Sequence, residues 1–125
     1  MTRKYLIVDD EALVRDLLCL LFGDNADIMT AQNGQEALAW LEKNTPDLIL
    51  LDLLMPDIDG YEFLDRIKKF PKRKGICIYA WSNLTQKKDV ELAKQKGIDG
   101  FLIKSDYTPK KLTEKVTEIL KKIIK

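Results

Sequence analysis

Asp47-Leu48-Ile49-Leu50-Leu51-Asp52, followed at once by Leu53-Leu54-Met55-Pro56-Asp57-Ile58-Asp59-Gly60, is the stretch that decides the fold. A continuous apolar run of this length reads as a strand buried on both faces, as in parallel sheets covered by helices. An unpaired carboxylate inside such a strand would cost several kcal/mol. Asp52 is therefore expected at the strand's carboxyl end, the edge of an open α/β sheet where ligands gather.

Working outward, four more apolar segments alternate with five helical patterns. Strands are expected at Lys4–Asp9, Asp27–Gln32, Asp47–Asp52, Ile76–Trp81 and Asp99–Ile103. A first helix spans Ala12 to Phe22 and stops near Gly23-Asp24-Asn25. Asn33 with Glu36, and Asp59 with Glu62, form capping-box patterns for helices running to Asn44 and from Tyr61 to Phe70. A fourth helix covers Thr85–Lys96 with Gly97 as its stop, and Thr108-Pro109 opens a last one to Ile124. Strict alternation predicts a doubly wound α/β domain, with strands 1, 3 and 4 central and the more polar strand 2 at an edge.

The chain has 125 residues, 46% hydrophobic and 33% charged, which suits one compact domain with a real core. No apolar run approaches the roughly 20 residues of a membrane helix, and the strand-like Tyr5-Leu6-Ile7-Val8 is too short for a signal peptide's apolar region, so a cytoplasmic location without membrane contact is expected. Cys19 and Cys77 form no CxxC pair and are expected to be buried, reduced thiols. There is no histidine, which excludes His-based nucleophile systems and the commonest zinc ligand. Residues 1–60 carry 4 basic against 12 acidic side chains, and residues 61–125 carry 17 against 8. The lysines are dispersed along helical segments, so solvated faces are expected rather than nucleic-acid binding. Trp40 and Trp81 read as packing residues.

Polar residues close the strands: Asp9-Asp10, Asp52, Ser82 and Lys104. A parallel sheet delivers these ends to one edge. Two carboxylates about 4 Å apart repel by roughly 4 kcal/mol at an effective dielectric near 20. Three therefore call for a cation, and a hard oxygen-seeking ion, Mg²⁺, suits them, with Lys104 as a second positive charge. Such a set suits a phosphoryl group, and its carboxylate can attack phosphorus to form an aspartyl phosphate.

The chain resembles the receiver domain of two-component response regulators. The resemblance rests on Val8-Asp9-Asp10-Glu11, Leu51-Asp52 with Met55-Pro56-Asp57 and Asp59-Gly60, then Ser82, and Gly97 with Phe101 and Lys104. It implies a flavodoxin-like (βα)5 fold of strand order 2-1-3-4-5, with residues 1–125 forming a single receiver domain and no output domain in this chain. It further implies that Asp52 is the phospho-acceptor and that Asp9, Asp10, Asp52 and the backbone carbonyl of Leu54 hold Mg²⁺. Ser82 and Lys104 would bind the phosphoryl oxygens, and Phe101 would turn inward as Ser82 moves. The implied donor is a sensor histidine kinase or phosphotransfer protein. The implied output is partner binding or homodimerisation through helix 4, strand 5 and helix 5, without steady turnover of an external substrate.

The chain also departs from the family pattern. Ser105 stands where most receivers have a proline after the lysine, usually joined by a cis bond, so the loop 104–108 is expected to run differently. Asn83 replaces a small residue and is expected to narrow access to the site. Leu54 and Leu84 flank the entry and cannot orient water, so a long-lived phosphate is expected. Two other readings remain. A Mg²⁺-dependent phosphatase with an Asp nucleophile would want a second Asp where Leu54 stands. A degenerate receiver used only for docking sits poorly with the complete Asp9, Asp10, Asp52, Ser82 and Lys104 set.

Overall fold

The computed structural model describes residues 3–23, 26–56, 58–84 and 86–123. Strands β1 (Arg3–Val8), β2 (Ala26–Ala31), β3 (Leu48–Leu51), β4 (Cys77–Ser82) and β5 (Gly100–Ile103) alternate with helices α1 (Ala12–Phe22), α2 (Gly34–Leu41), α3 (Gly60–Ile67), α4 (Lys87–Gln95) and α5 (Pro109–Ile123). All ladders are parallel and the order is β2-β1-β3-β4-β5, the flavodoxin-like arrangement. β2 lies at one edge and β5 at the other. Asp24, Asn25, Asp57, Thr85 and Ile124, which figure in the expected motifs and helix ends, lie outside the described residues.

The alternation of side chains along each strand builds two cores. Leu6 and Val8 of β1 and Ile49 and Leu51 of β3 face α2, α3 and α4, where Ala37, Leu41, Phe63, Leu64, Ile67 and Ala93 meet them. Tyr5, Ile7, Leu48 and Leu50 face the other way, onto Leu18 and Phe22 of α1 and Leu112, Val116, Ile119 and Leu120 of α5. Burying each of the Val, Leu, Ile and Phe side chains contributes about 1.5–3 kcal/mol, and together these contacts fix which face of each helix turns inward. β1 is paired on both sides, and its start is tied to β3 by reciprocal bonds: Lys4 N–H donates to Asp47 Oδ2 at 2.9 Å and Asp47 N–H donates to the Lys4 carbonyl at 2.8 Å.

Helix starts follow the cap residues. Asn33 Oδ1 accepts from Glu36 N–H at 2.8 Å, Asp59 Oδ1 from Glu62 N–H at 2.9 Å, and Thr108 Oγ1 from Lys111 N–H at 3.2 Å. The far ends come earlier than expected. α2 stops at Leu41 rather than Asn44, and α3 at Ile67 rather than Phe70, because the last turns tighten into three-residue bonds such as Phe70 N–H to the Ile67 carbonyl at 3.0 Å. Gly97 ends α4 at φ 100°, in the left-handed region where glycine is at ease.

Trp81 is buried and Trp40 packs against the first core, in keeping with structural roles. The cysteines differ from expectation: both are free, but half-buried rather than buried, Cys19 within α1 and Cys77 as the first residue of β4, packed against the second core. Among the described residues, no helix is long and apolar enough to cross a membrane.

Candidate functional site

Register assembles the site. Val8 pairs with Leu51, Leu51 with Ala80, and Ser82 with Ile103, so Asp9, Asp52, Ser82 and Lys104 all emerge at the carboxyl edge of three neighbouring ladders. The first step past β1 and β3 stays bonded: Asp9 N–H donates to the Ala31 carbonyl at 3.0 Å, and Asp52 N–H to the Val8 carbonyl at 2.9 Å. Both carboxylates are thereby held on backbone rather than on mobile loop.

Asp9 is 0% and Asp52 4% exposed, whereas Asp10 and Glu11 are open to solvent. One carboxylate oxygen from each of these four lies within 4.8 Å of the others. Lys104 Nζ sits among them, 2.7 Å from Asp9 Oδ2, 3.3 Å from Asp52 Oδ2 and 3.5 Å from Glu11 Oε1. Glu11 belonged to the quoted motif but had no expected role. Its backbone N–H donates to Asp9 Oδ1 at 2.9 Å, and that local turn brings its side chain back to Lys104. Arg15 donates to the Asp9 carbonyl at 2.7 Å and steadies the same corner from α1.

Burial pushes the Asp9 carboxyl above the usual carboxylate range, against the pull of Lys104 and the Glu11 N–H. Asp52 is raised for the same first reason, opposed by the Leu54 N–H and Lys104 and reinforced by the Asp9 charge. Burial works against the Lys104 ammonium, but Asp9 and Asp52 outweigh it and raise its pKa. The edge is therefore short of positive charge. Asp9 Oδ2 is buried and its near neighbour of opposite charge is the Lys104 ammonium, 2.7 Å away. Four carboxylates offering oxygens within 4.8 Å of one another, against the single Lys104 ammonium beside them, make a hard oxygen donor set that fits a divalent cation such as Mg²⁺.

Ser82 is fully buried, and its Oγ accepts from Leu84 N–H at 3.4 Å, which leaves its own hydrogen free to donate. Asp52 Oδ1 accepts from Leu54 N–H at 3.0 Å, which orients the carboxylate, and Leu54 itself is 57% exposed. Asp10, Glu11, Asp52, Leu54, Ser82, Asn83 and Lys104 line an open cavity of about 350 Å³ there. Phe101 lies on β5, half-buried and packed against the first core. Gly60 closes the loop behind the site, because a Cβ there would stand 2.6 Å from Leu53 Cα and 2.9 Å from the Asp52 carbonyl oxygen.

The departures also have a shape. No peptide bond is cis among the described residues, and Lys104–Asp106 forms one turn of 3-10 helix. Asn83 lines the cavity, and its Oδ1 accepts from Ser105 N–H at 2.9 Å.

Known proteins are similar to this chain in sequence and fold. The family model described as the response regulator receiver domain matches residues 5–117. The chemotaxis protein CheY of Halobacterium salinarum is 32% identical over 110 residues, which cover 87% of this chain and 90% of that protein. The probable transcriptional regulator ycf27 of Porphyridium aerugineum is 32% identical over 124 residues, covering 98% of this chain but 50% of that protein. This chain thus spans half the length of that regulator. Among solved structures, the chemotaxis protein CheY4 of Vibrio cholerae superposes with a TM-score of 0.87 at 28% identity, covering 94% of this chain and 98% of that one. The chain belongs to the response regulator receiver domain family, whose members are signalling switches of two-component systems.

Proposed function

We propose that this chain is a phospho-accepting switch in which Asp52 takes a phosphoryl group from a phosphohistidine of a sensor kinase or phosphotransfer protein, or from a small phosphodonor. The observation that carries this reading is the meeting of Asp52 with Lys104, at 3.3 Å, inside the acidic cluster at the carboxyl edge of the sheet. An Asp52 carboxylate oxygen attacks phosphorus and the new O–P bond forms. The donor's N–P bond breaks, and its electron pair returns to the imidazole nitrogen. Asp9, Asp10, Asp52 and the Leu54 backbone carbonyl would hold Mg²⁺, which supplies positive charge to the phosphoryl oxygens. The Lys104 ammonium pairs with one of those oxygens and the Ser82 hydroxyl donates to another.

The same groups make the product a signal. Drawing Ser82 toward a phosphoryl oxygen vacates space under α4, and Phe101, half-buried beside it, turns inward. The face of α4, β5 and α5 then changes shape for a protein partner or a second copy, with residues 1–125 acting as one receiver unit. An apolar Leu54 two residues after Asp52 favours one phosphoryl per chain over turnover of an external ester. Incubation with acetyl phosphate and Mg²⁺, read by intact mass, tests the reading. One added phosphoryl group on the wild type and none on Asp52→Asn is expected. An unmodified wild type would overturn it.

A further inference from the structure

The bond from Ser105 N–H to Asn83 Oδ1, at 2.9 Å, joins two loops that each carry a group of the site. Asn83 directly follows Ser82, and Ser105 directly follows Lys104. β5 ends at Ile103 and the chain turns at once into the 3-10 turn Lys104–Asp106. The first N–H groups of any helical turn lack partners within it. Asn83 caps this one from outside, across a separation of 22 residues. The two unusual residues are thus two halves of one contact. A proline at 105 would have no N–H to give, and it would disfavour the helical backbone of the residue before it, which is Lys104.

We propose that Asn83 is a positioning residue: its carboxamide clamps the start of the Lys104–Asp106 turn and so fixes the Lys104 ammonium over Asp9 and Asp52. The clamp also links motions. When Ser82 moves toward a phosphoryl group, Asn83 moves with it and carries Ser105 and Lys104, so the hydroxyl and the ammonium close on the ligand together. This second role rests on Asp52 being the phospho-acceptor; the clamp itself does not.

Amide hydrogen exchange on the full chain tests the clamp without any phosphorylation. Removing one solvent-exposed hydrogen bond speeds exchange by about three- to tenfold. Asn83→Ala is expected to accelerate Ser105 exchange by that factor, and Asn83→Asp, which keeps the accepting oxygen, is expected to retain wild-type protection. Unchanged Ser105 exchange in Asn83→Ala would overturn the proposal. The linked motion is read by a cycle of Asn83→Ala, Ser105→Pro and the double variant, following phosphorylation by acetyl phosphate at saturating Mg²⁺. Each single change is expected to slow the reaction, and the double variant to be no slower than Ser105→Pro alone. Losses that multiply independently would show that the two loops act separately. A wild type that takes up no phosphate would refute the phospho-acceptor reading while leaving the exchange result standing.

Discussion

Replacing Lys104 by methionine keeps the length of the side chain and removes only the charge that faces Asp9 and Asp52. At an effective dielectric of 20, contacts of 2.7 and 3.3 Å correspond to gross attractions of about 6 and 5 kcal/mol. Desolvating the ammonium, whose side chain is 11% exposed, offsets much of that in the wild type. The variant recovers this desolvation cost but strands two carboxylates that are 0% and 4% exposed, and breaking a buried pair in this way costs about 3–5 kcal/mol. Lys104→Met is therefore expected to lose about that much stability at pH 7 without Mg²⁺, measured by urea unfolding. The pH dependence has a definite sign. Asp9 and Asp52 titrate above their ordinary 3.8 in the fold, and further above it once Lys104 is gone. Their neutral forms suit the folded state, so stability is fully present below pH 3.8 and is lost as pH rises through the folded values. The deficit of the variant should thus be full at neutral pH and shrink as pH falls toward about 4. Mg²⁺ should stabilise the variant more than the wild type, since it substitutes for the missing charge. A variant as stable as the wild type at pH 7 in the absence of Mg²⁺ would refute the electrostatic account.

Further outcomes follow from other parts of the molecule. Gly60→Ala places a methyl against backbone at 2.6 and 2.9 Å, so it should cost about 1–3 kcal/mol in urea unfolding and slow phosphorylation of Asp52; a neutral result in both would contradict the close packing. Leu54→Asn and Leu84→Glu, singly and together, offer polar groups that can orient water and should shorten the phosphate lifetime by roughly tenfold or more; loss of phosphate at the wild-type rate in all three would sink the apolar-mouth idea. Lys94→Glu and Lys111→Glu reverse exposed charges on α4 and α5 and should weaken partner capture or self-association after phosphorylation; unchanged binding would move the output surface elsewhere. Burial pushes the Cys77 thiol up to about 12, with the Asp99 charge adding to it. About one thiol in ten thousand is then ionised at pH 8, so alkylation should be far slower in the native protein than in urea; equal rates would refute the assignment.

Much of the fold is legible in the sequence. Asp52 and Asp9 were readable because an apolar strand leaves a carboxylate only one wet place, its tip, and parallel pairing sends all such tips to the same edge. Asn33, Asp59 and Thr108 were readable because capping is a local contact three residues long. The helix ends at Leu41 and Ile67 were not, since the choice between four- and three-residue bonds in a last turn depends on packing around it. Nor was the part played by Glu11. A third acid in a row looks solvated until the turn at Asp9 returns it to Lys104. Asn83 and Ser105 each stood out as exceptions, but a hydrogen bond spanning 22 positions is visible only once the two loops share an edge.

The double pairing of β1 has a consequence for how the chain comes to be folded. β2 reaches β1 after a single helical crossover, but the other edge of β1 waits for β3, whose tie from Asp47 to Lys4 spans 43 positions. Contacts of that sequence separation are slow to close. A chain emerging from the ribosome, or one cut between α2 and β3, would present β1 with an apolar, unpaired flank, and open strand edges recruit other chains. A strand paired on both sides in the finished domain is thus also where a half-made one would aggregate.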